Sequence, residues 1–167
     1  MQNHRAERST PQLRETRMLP STSASVSVDT ASRRRFRIGA KGLITTQDRV
    51  LLIKERHADG SHFWTLPGGG IEDTESLSDC LRREIEEEIR SPSDVRQVVD
   101  AFVYRHTSRP TTTIYAVFDA TLQTEPDPNP GERIVDHAWR KPTDLPSTTL
   151  DPVEHVIQGT MTERNRG

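Results

Sequence analysis

Residues 64–70 read Trp64-Thr65-Leu66-Pro67-Gly68-Gly69-Gly70, and shortly after comes Ser76-Leu77-Ser78-Asp79-Cys80-Leu81-Arg82-Arg83-Glu84-Ile85-Glu86-Glu87-Glu88-Ile89-Arg90. In the second stretch Leu77, Cys80, Leu81, Ile85 and Ile89 recur at spacings of three and four, so they form one apolar stripe of a helix. Ser76 followed by Asp79 fits a capping box at its start, and Pro92 enforces a stop. Glu84, Glu87 and Glu88 stand at i, i+3 and i+4, which brings three carboxylates to one helix face. Like charges at that spacing weaken an isolated helix, so a cationic partner is expected among them. Hard oxygen donors without Cys or His on the same face suit Mg²⁺ or Mn²⁺ and suit Zn²⁺ or copper poorly. Gly68, Gly69 and Gly70 permit positive φ and a close backbone approach. A carbonyl of such a turn can enter a metal shell, and its N–H groups can face phosphate oxygens.

Taken together, Gly69, Glu75 and Arg83-Glu84-Ile85-x-Glu87-Glu88 resemble the Nudix box of the MutT-like Nudix hydrolases, and Trp64-x-Leu66-Pro67-Gly68-Gly69 is similar to the lead-in usual in that family. The motif covers about 25 residues, and the order of elements extends the resemblance from Phe36 to about Gln158. The resemblance implies an α/β (α+β) fold, an α/β/α sandwich with a mixed sheet. It implies metal-dependent attack of water on a phosphorus of a nucleoside diphosphate linked to another group. By the same resemblance Glu87 and Glu88 are the main metal ligands, with the Gly68 carbonyl, and Glu84 is a ligand or the general base. Arg83 orients these carboxylates through an ion pair with Glu75. An ordinary surface pair of little energetic worth is the plainer reading of Arg83 and Glu75. One position departs from the pattern. The family continues with Gly where this chain has Arg90. Either Arg90 adopts a left-handed cap at a cost of about 1 kcal/mol, or the helix runs on to Ser91.

Working outward, Phe36–Thr45 and Arg49–Ile53 read as a hairpin about Gln47-Asp48, and Leu51-Leu52-Ile53 as a strand buried on both faces. His62–Leu66 is a short strand. Val95–His106 and Thr112–Leu122 are long strands joined at Ser108-Arg109-Pro110. Pro126, Pro128 and Pro130 mark an extended loop before a strand at Arg133–Trp139. Asp151-Pro152 opens a short second helix with Val153, Val156 and Ile157 inward. The domain is expected over residues 36–160, with a flexible tail at 161–167. Residues 1–35 carry seven Arg, three acids and abundant Ser and Thr, and read as a disordered Arg/Ser-rich tail. Arg33-Arg34-Arg35 is the one cluster suited to nucleic acid, and a solvated tail is its plainer reading.

Composition narrows the function classes. The chain has 167 residues, 31% of them hydrophobic, and a net charge of −2, so no global charge drives it to nucleic acid or anionic membrane. No apolar run approaches the roughly 20 residues that span a bilayer, and the N-terminus lacks a signal-type apolar segment. A cytoplasmic protein without a membrane partner is expected. The single cysteine, Cys80, forms no internal disulfide and no cysteine-cluster metal site. Oligomeric state is left open, a homodimer included.

Weaker candidates lie outside the motif. Glu132 follows the proline-rich loop, where some Nudix enzymes place a further catalytic Glu, and Asp136 is a second option; an ordinary loop acid is as good a reading of either. His57 and His62 flank the loop before the glycine turn. Trp64 and Trp139 read as core, and Cys80 as a small core residue. Tyr104 and Tyr115 match a signpost of enzymes acting on dinucleoside polyphosphates but also suit a sheet. The preferred substrate is a nucleoside triphosphate or related nucleotide. The alternative is a catalytically silent Nudix-fold module that binds nucleotide or RNA.

Overall fold

The computed structural model describes residues 34–164. The expected tail therefore lies outside the described residues up to position 33, as do residues 165–167. Strands β1 (Arg35–Thr46) and β2 (Arg49–Arg56) form the expected hairpin. Gln47, at φ 50°, supplies the left-handed turn residue. Strand β3 is His62–Thr65, helix α1 Leu77–Ile89, β4 Ser93–Arg105, β5 Thr111–Leu122, β6 Ile134–Arg140 and helix α2 Asp151–Arg164. Strand order is β3-β2-β1-β5-β4, with β6 on the other side of β2, in one mixed six-stranded sheet. β1 runs parallel to β5, and β5 antiparallel to β4.

The core follows from strand alternation. Val50, Leu51, Leu52 and Ile53 are all fully buried. Successive strand side chains point to opposite faces, so β2 feeds two cores. Leu51 and Ile53 pack with Cys80, Leu81, Ile85 and Ile89 of α1. Val50 and Leu52 pack with Val153, Val156, Ile157 and Met161 of α2. Each such aliphatic burial is worth about 1.5–3 kcal/mol. The result is an α/β fold with one helix on each face. Helix α2 runs beyond the expected end of the domain at 160, because Met161 is 5% exposed and completes the inward stripe. The stretch 161–167, expected as flexible, is thus helical through Arg164. Among the described residues no helix is long and apolar enough to cross a membrane.

One detail of the sheet places the functional region. β1 and β2 pair at their turn end, Thr45 with Val50 and Thr46 with Arg49. β2 then takes β6 and β3 as its partners, with Ile53 opposite both His137 and Thr65. The edge of β1 left by β2 is filled by the glycine segment. Gly42 N–H donates to Pro67 O at 2.9 Å, Ala40 N–H to Gly69 O at 2.9 Å, and Ile71 N–H to Ile38 O at 3.0 Å. The Pro67–Ile71 backbone therefore lies along β1 like an added strand.

Candidate active site

Helix α1 begins at Ser76, whose hydroxyl accepts from Asp79 N–H at 3.1 Å, and its apolar stripe turns the carboxylate face toward the glycine segment. The fit there is tight. Gly68 has φ +123°, and a Cβ would run into the Ala40 carbonyl; a Cβ on Gly69 would stand 2.5 Å from the Glu84 carboxylate. Glu88 is 7% exposed and its Oε2 accepts from Gly68 N–H at 2.8 Å. Lys41, on β1, donates from Nζ to the Gly68 carbonyl. Gly68 is thus held at both its N–H and its carbonyl, through the two peptide groups that flank its Cα. Burial pushes the Glu88 carboxyl up to about 8, against the smaller pulls of Lys41 and the Gly68 N–H. Burial works against the Lys41 ammonium, but Glu88, Tyr115, Glu55 and Glu84 outweigh it, and its pKa moves up.

Arg83 gathers the other acids. Its Nε and Nη2 donate to the two oxygens of Glu75 at 3.1 and 2.7 Å, a fork geometry that only guanidinium provides. Nη1 donates to Glu84 at 3.0 Å and to Glu87 at 3.1 Å, and Nη2 to Gly70 O at 3.2 Å. The Arg83 hydrogen bonds, followed by the Glu72 N–H, hold the Glu75 carboxyl down at about 2. Glu84 moves the other way, because its burial outweighs the pull of Arg83.

The helix end resolves the question of Arg90. Arg90 takes the left-handed cap, φ 50° and ψ 36°, and its N–H bonds Glu86 O. Its guanidinium bonds Asp127 at 2.8 Å and Asn129 at 3.0 Å. The same loop satisfies the last carbonyls of α1: Asn129 Nδ2 donates to Glu87 O, Asn129 N–H to Glu88 O and Asp127 N–H to Ile89 O. Helix ends leave such carbonyls without partners in the helix itself. The proline-rich loop is therefore docked on the acidic helix, and it carries Glu132 to the same cleft.

That cleft has a volume of about 470 Å³, and Gly68, Gly69, Gly70, Glu84, Glu88 and Glu132 all line it. Glu87 stands outside the lining, half exposed and paired with Arg83; Glu75 and Arg83 lie behind the glycine turn. Asp136 does not line the cleft, nor does His62, whereas His57 does, stacked on Phe63 with centroids 4.2 Å apart. Tyr104 and Tyr115 also face it. Trp64 is buried in the core under α2, and Trp139 packs against the core under α1. Cys80 is fully buried, and that burial pushes its thiol up to about 11. Sequence reasoning missed Lys41 and Thr65. Thr65 is 1% exposed, lines the cleft and has a hydroxyl without a partner. Both occupy ordinary strand positions, and only the glycine segment's return along β1 gives them a site.

The donor set suits a hard divalent cation: the carboxylates of Glu84, Glu87 and Glu88 and the Gly68 carbonyl all offer oxygen donors. Among the described residues no three His, Cys, Asp or Glu side chains stand together at metal-holding distance. Arg83 holds Glu84 and Glu87, and Lys41 holds the Gly68 carbonyl. Internal cations thus engage Glu84, Glu87 and the Gly68 carbonyl, while the Gly68 N–H engages Glu88.

An acidic helix and a glycine turn meeting in one cleft, on a mixed sheet with a helix on each face, match the Nudix architecture. The chain matches the NUDIX domain over residues 34–158 and belongs to the Nudix hydrolase family. It is 31% identical over 127 residues to the nucleoside triphosphatase NudI of Klebsiella pneumoniae, covering 68% of this chain and 88% of that protein. Its fold resembles a MutT NUDIX hydrolase from Burkholderia pseudomallei (TM-score 0.67, 24% identity, 74% of this chain and 97% of that one). It also resembles the MutT protein of Methanosarcina mazei (TM-score 0.69, 17% identity, 80% and 98%).

Proposed function

We propose that this protein hydrolyses a phosphoanhydride bond in a nucleoside triphosphate or related nucleotide, with Mg²⁺ or Mn²⁺ as cofactor. The observation that carries the proposal is the convergence of Glu84 and Glu88 on the Gly68–Gly70 backbone within one cleft. Glu87, Glu88 and the Gly68 carbonyl would hold the cation, with Glu84 as a further ligand or as the base that takes the water's proton. A bound divalent cation would neutralise the diphosphate and make water nucleophilic near neutral pH. Arg83 fixes the rotamers of Glu84 and Glu87 through its fork on Glu75, a supporting role that metal and carboxylate sites require. The N–H groups of the glycine segment not used along β1 are suited to phosphate oxygens. Glu132 is a second acid at the cleft. The relative named a nucleoside triphosphatase supports the choice of substrate class.

The test is release of phosphate or pyrophosphate from a panel of nucleoside triphosphates, dinucleoside polyphosphates and nucleotide sugars, with Mg²⁺ and with EDTA. Turnover of a triphosphate that EDTA abolishes is expected. Binding of nucleotide without any release across the panel would favour the silent module instead.

A further inference from the structure

Lys41 is the feature that the proposed chemistry does not use. It is one of three lysines in the chain, yet its side chain is buried at the floor of the cleft, 6% exposed. Its ammonium bonds the Gly68 carbonyl, and the neighbouring Gly68 N–H is taken by Glu88. The carboxylates of Glu88, Glu55 and Glu84 all act on it through charge. It also lies 5.4 Å from the centroid of Tyr115. Arg37, Arg56, Arg109 and Arg133 also line the cleft, but Lys41 is the lining cation bonded to the Gly68 carbonyl.

We propose that Lys41 is an internal counter-ion that occupies the divalent-cation position in the metal-free protein and must surrender the Gly68 carbonyl when the cation binds. The inference rests on the metal-dependent reading above. One carbonyl facing one pocket cannot serve an ammonium and a divalent cation in the same place, and the two positive charges repel in a site shielded from water. The device has a use. Without it, the buried Gly68 carbonyl would lose its ammonium partner and Glu88 the positive charge that acts most strongly on it. Displacement is easy for lysine, whose ammonium rides on a flexible four-carbon stem. The cation–π contact already made with the Tyr115 ring, 5.4 Å to its centroid, is a partner the ammonium can keep when it leaves the carbonyl.

The sign of one measurement separates this from a structural role. A residue that merely shapes the metal site weakens binding when replaced; a competitor strengthens it. The experiment is Mn²⁺ titration of the EDTA-stripped full chain, read by electron paramagnetic resonance, for wild type, Lys41→Met and Lys41→Gln. Tighter Mn²⁺ binding by about tenfold or more is expected for Lys41→Met, equal to about 1.4 kcal/mol. Lys41→Gln, which keeps a hydrogen-bond donor without the charge, should also bind tighter than wild type. Equal or weaker binding in both variants overturns the proposal while leaving the metal site standing. No Mn²⁺ binding by any of the proteins overturns the metal reading and this inference with it. Should neither variant fold, ¹³C-lysine spectra of the wild type decide. Mg²⁺ should shift the Lys41 ε-carbon and leave those of Lys54 and Lys141 in place; an unmoved Lys41 signal overturns the proposal.

Discussion

Replacing Glu88 by Gln should change how the metal-free protein responds to pH. In the fold the Glu88 carboxyl is pushed up to about 8, whereas its ordinary value is 4.5, and burial is the main cause. Between those two values the folded state holds a proton that the unfolded state has lost. Stability is then fully present below about pH 4.5 and is lost as pH rises through about 8. One proton of difference is worth at most about 1.4 kcal/mol per pH unit. For a domain of this size that is a fall in Tm of roughly 3–6 °C per unit. Gln copies the shape of the protonated acid and does not titrate, so Glu88→Gln should lose this slope. The assay is thermal unfolding of EDTA-treated wild type and variant from pH 5 to 8, read as the difference in Tm. Subtraction removes the histidines and other groups common to both. The variant should gain on the wild type steadily across the window. Parallel curves would mean that Glu88 is not held protonated by burial, and a variant that loses ground with rising pH would reverse the sign of the reasoning.

Three further outcomes follow from particular contacts. Gly69→Ala puts a methyl group 2.5 Å from the Glu84 carboxylate; a loss of about 1–3 kcal/mol in stability, with reduced turnover, is expected in thermal melts and assays, and an unchanged enzyme would show that the glycine turn is not packed on α1. Arg90→Gly relieves about 1 kcal/mol of left-handed strain but gives up an exposed ion pair to Asp127 worth about 0–1 kcal/mol; urea titration should find the stability within about 1 kcal/mol of wild type, and a loss above about 2 kcal/mol would show that the tether to the 127–129 loop dominates. Cys80, buried and with its thiol pushed up to about 11, should resist a thiol reagent at pH 8 in the native protein and react at once in denaturant, whereas rapid native labelling would contradict its place under α1.

Much of this was legible in sequence where the signal is local. The stripe from Leu77 to Ile89, the turn at Gln47 and the doubly buried Leu51-Leu52-Ile53 each lie within one element, where periodicity and turn chemistry act. The parallel pairing of β1 with β5 and the insertion of β6 beside β2 are contacts between distant segments, which no local pattern encodes. The site divides in the same way. Glu84, Glu87, Glu88 and the three glycines belong to one continuous stretch and are readable there. Lys41 looks like any strand lysine until the Pro67–Ile71 backbone comes back along β1 and sets Gly68 over its ammonium. Arg90 left two outcomes open, because the choice depends on Asp127 and Asn129, contributed by a loop beyond two intervening strands. Helix α2 reads as short because Thr160 is polar; the burial of Met161 carries it on.

The central claim is that the carboxylate face of α1 works on the substrate, and one comparison tests it most directly: turnover with Mg²⁺ of Glu88→Gln against Glu86→Gln. Glu88 is buried and bonded to the Gly68 N–H; Glu86, two positions earlier, is exposed. Both variants should fold, which circular dichroism verifies. Turnover should fall by about a hundredfold or more in Glu88→Gln, near 2.7 kcal/mol of transition-state stabilisation, and stay close to wild type in Glu86→Gln. Equal activity of the two folded variants would contradict the assignment of this face to catalysis.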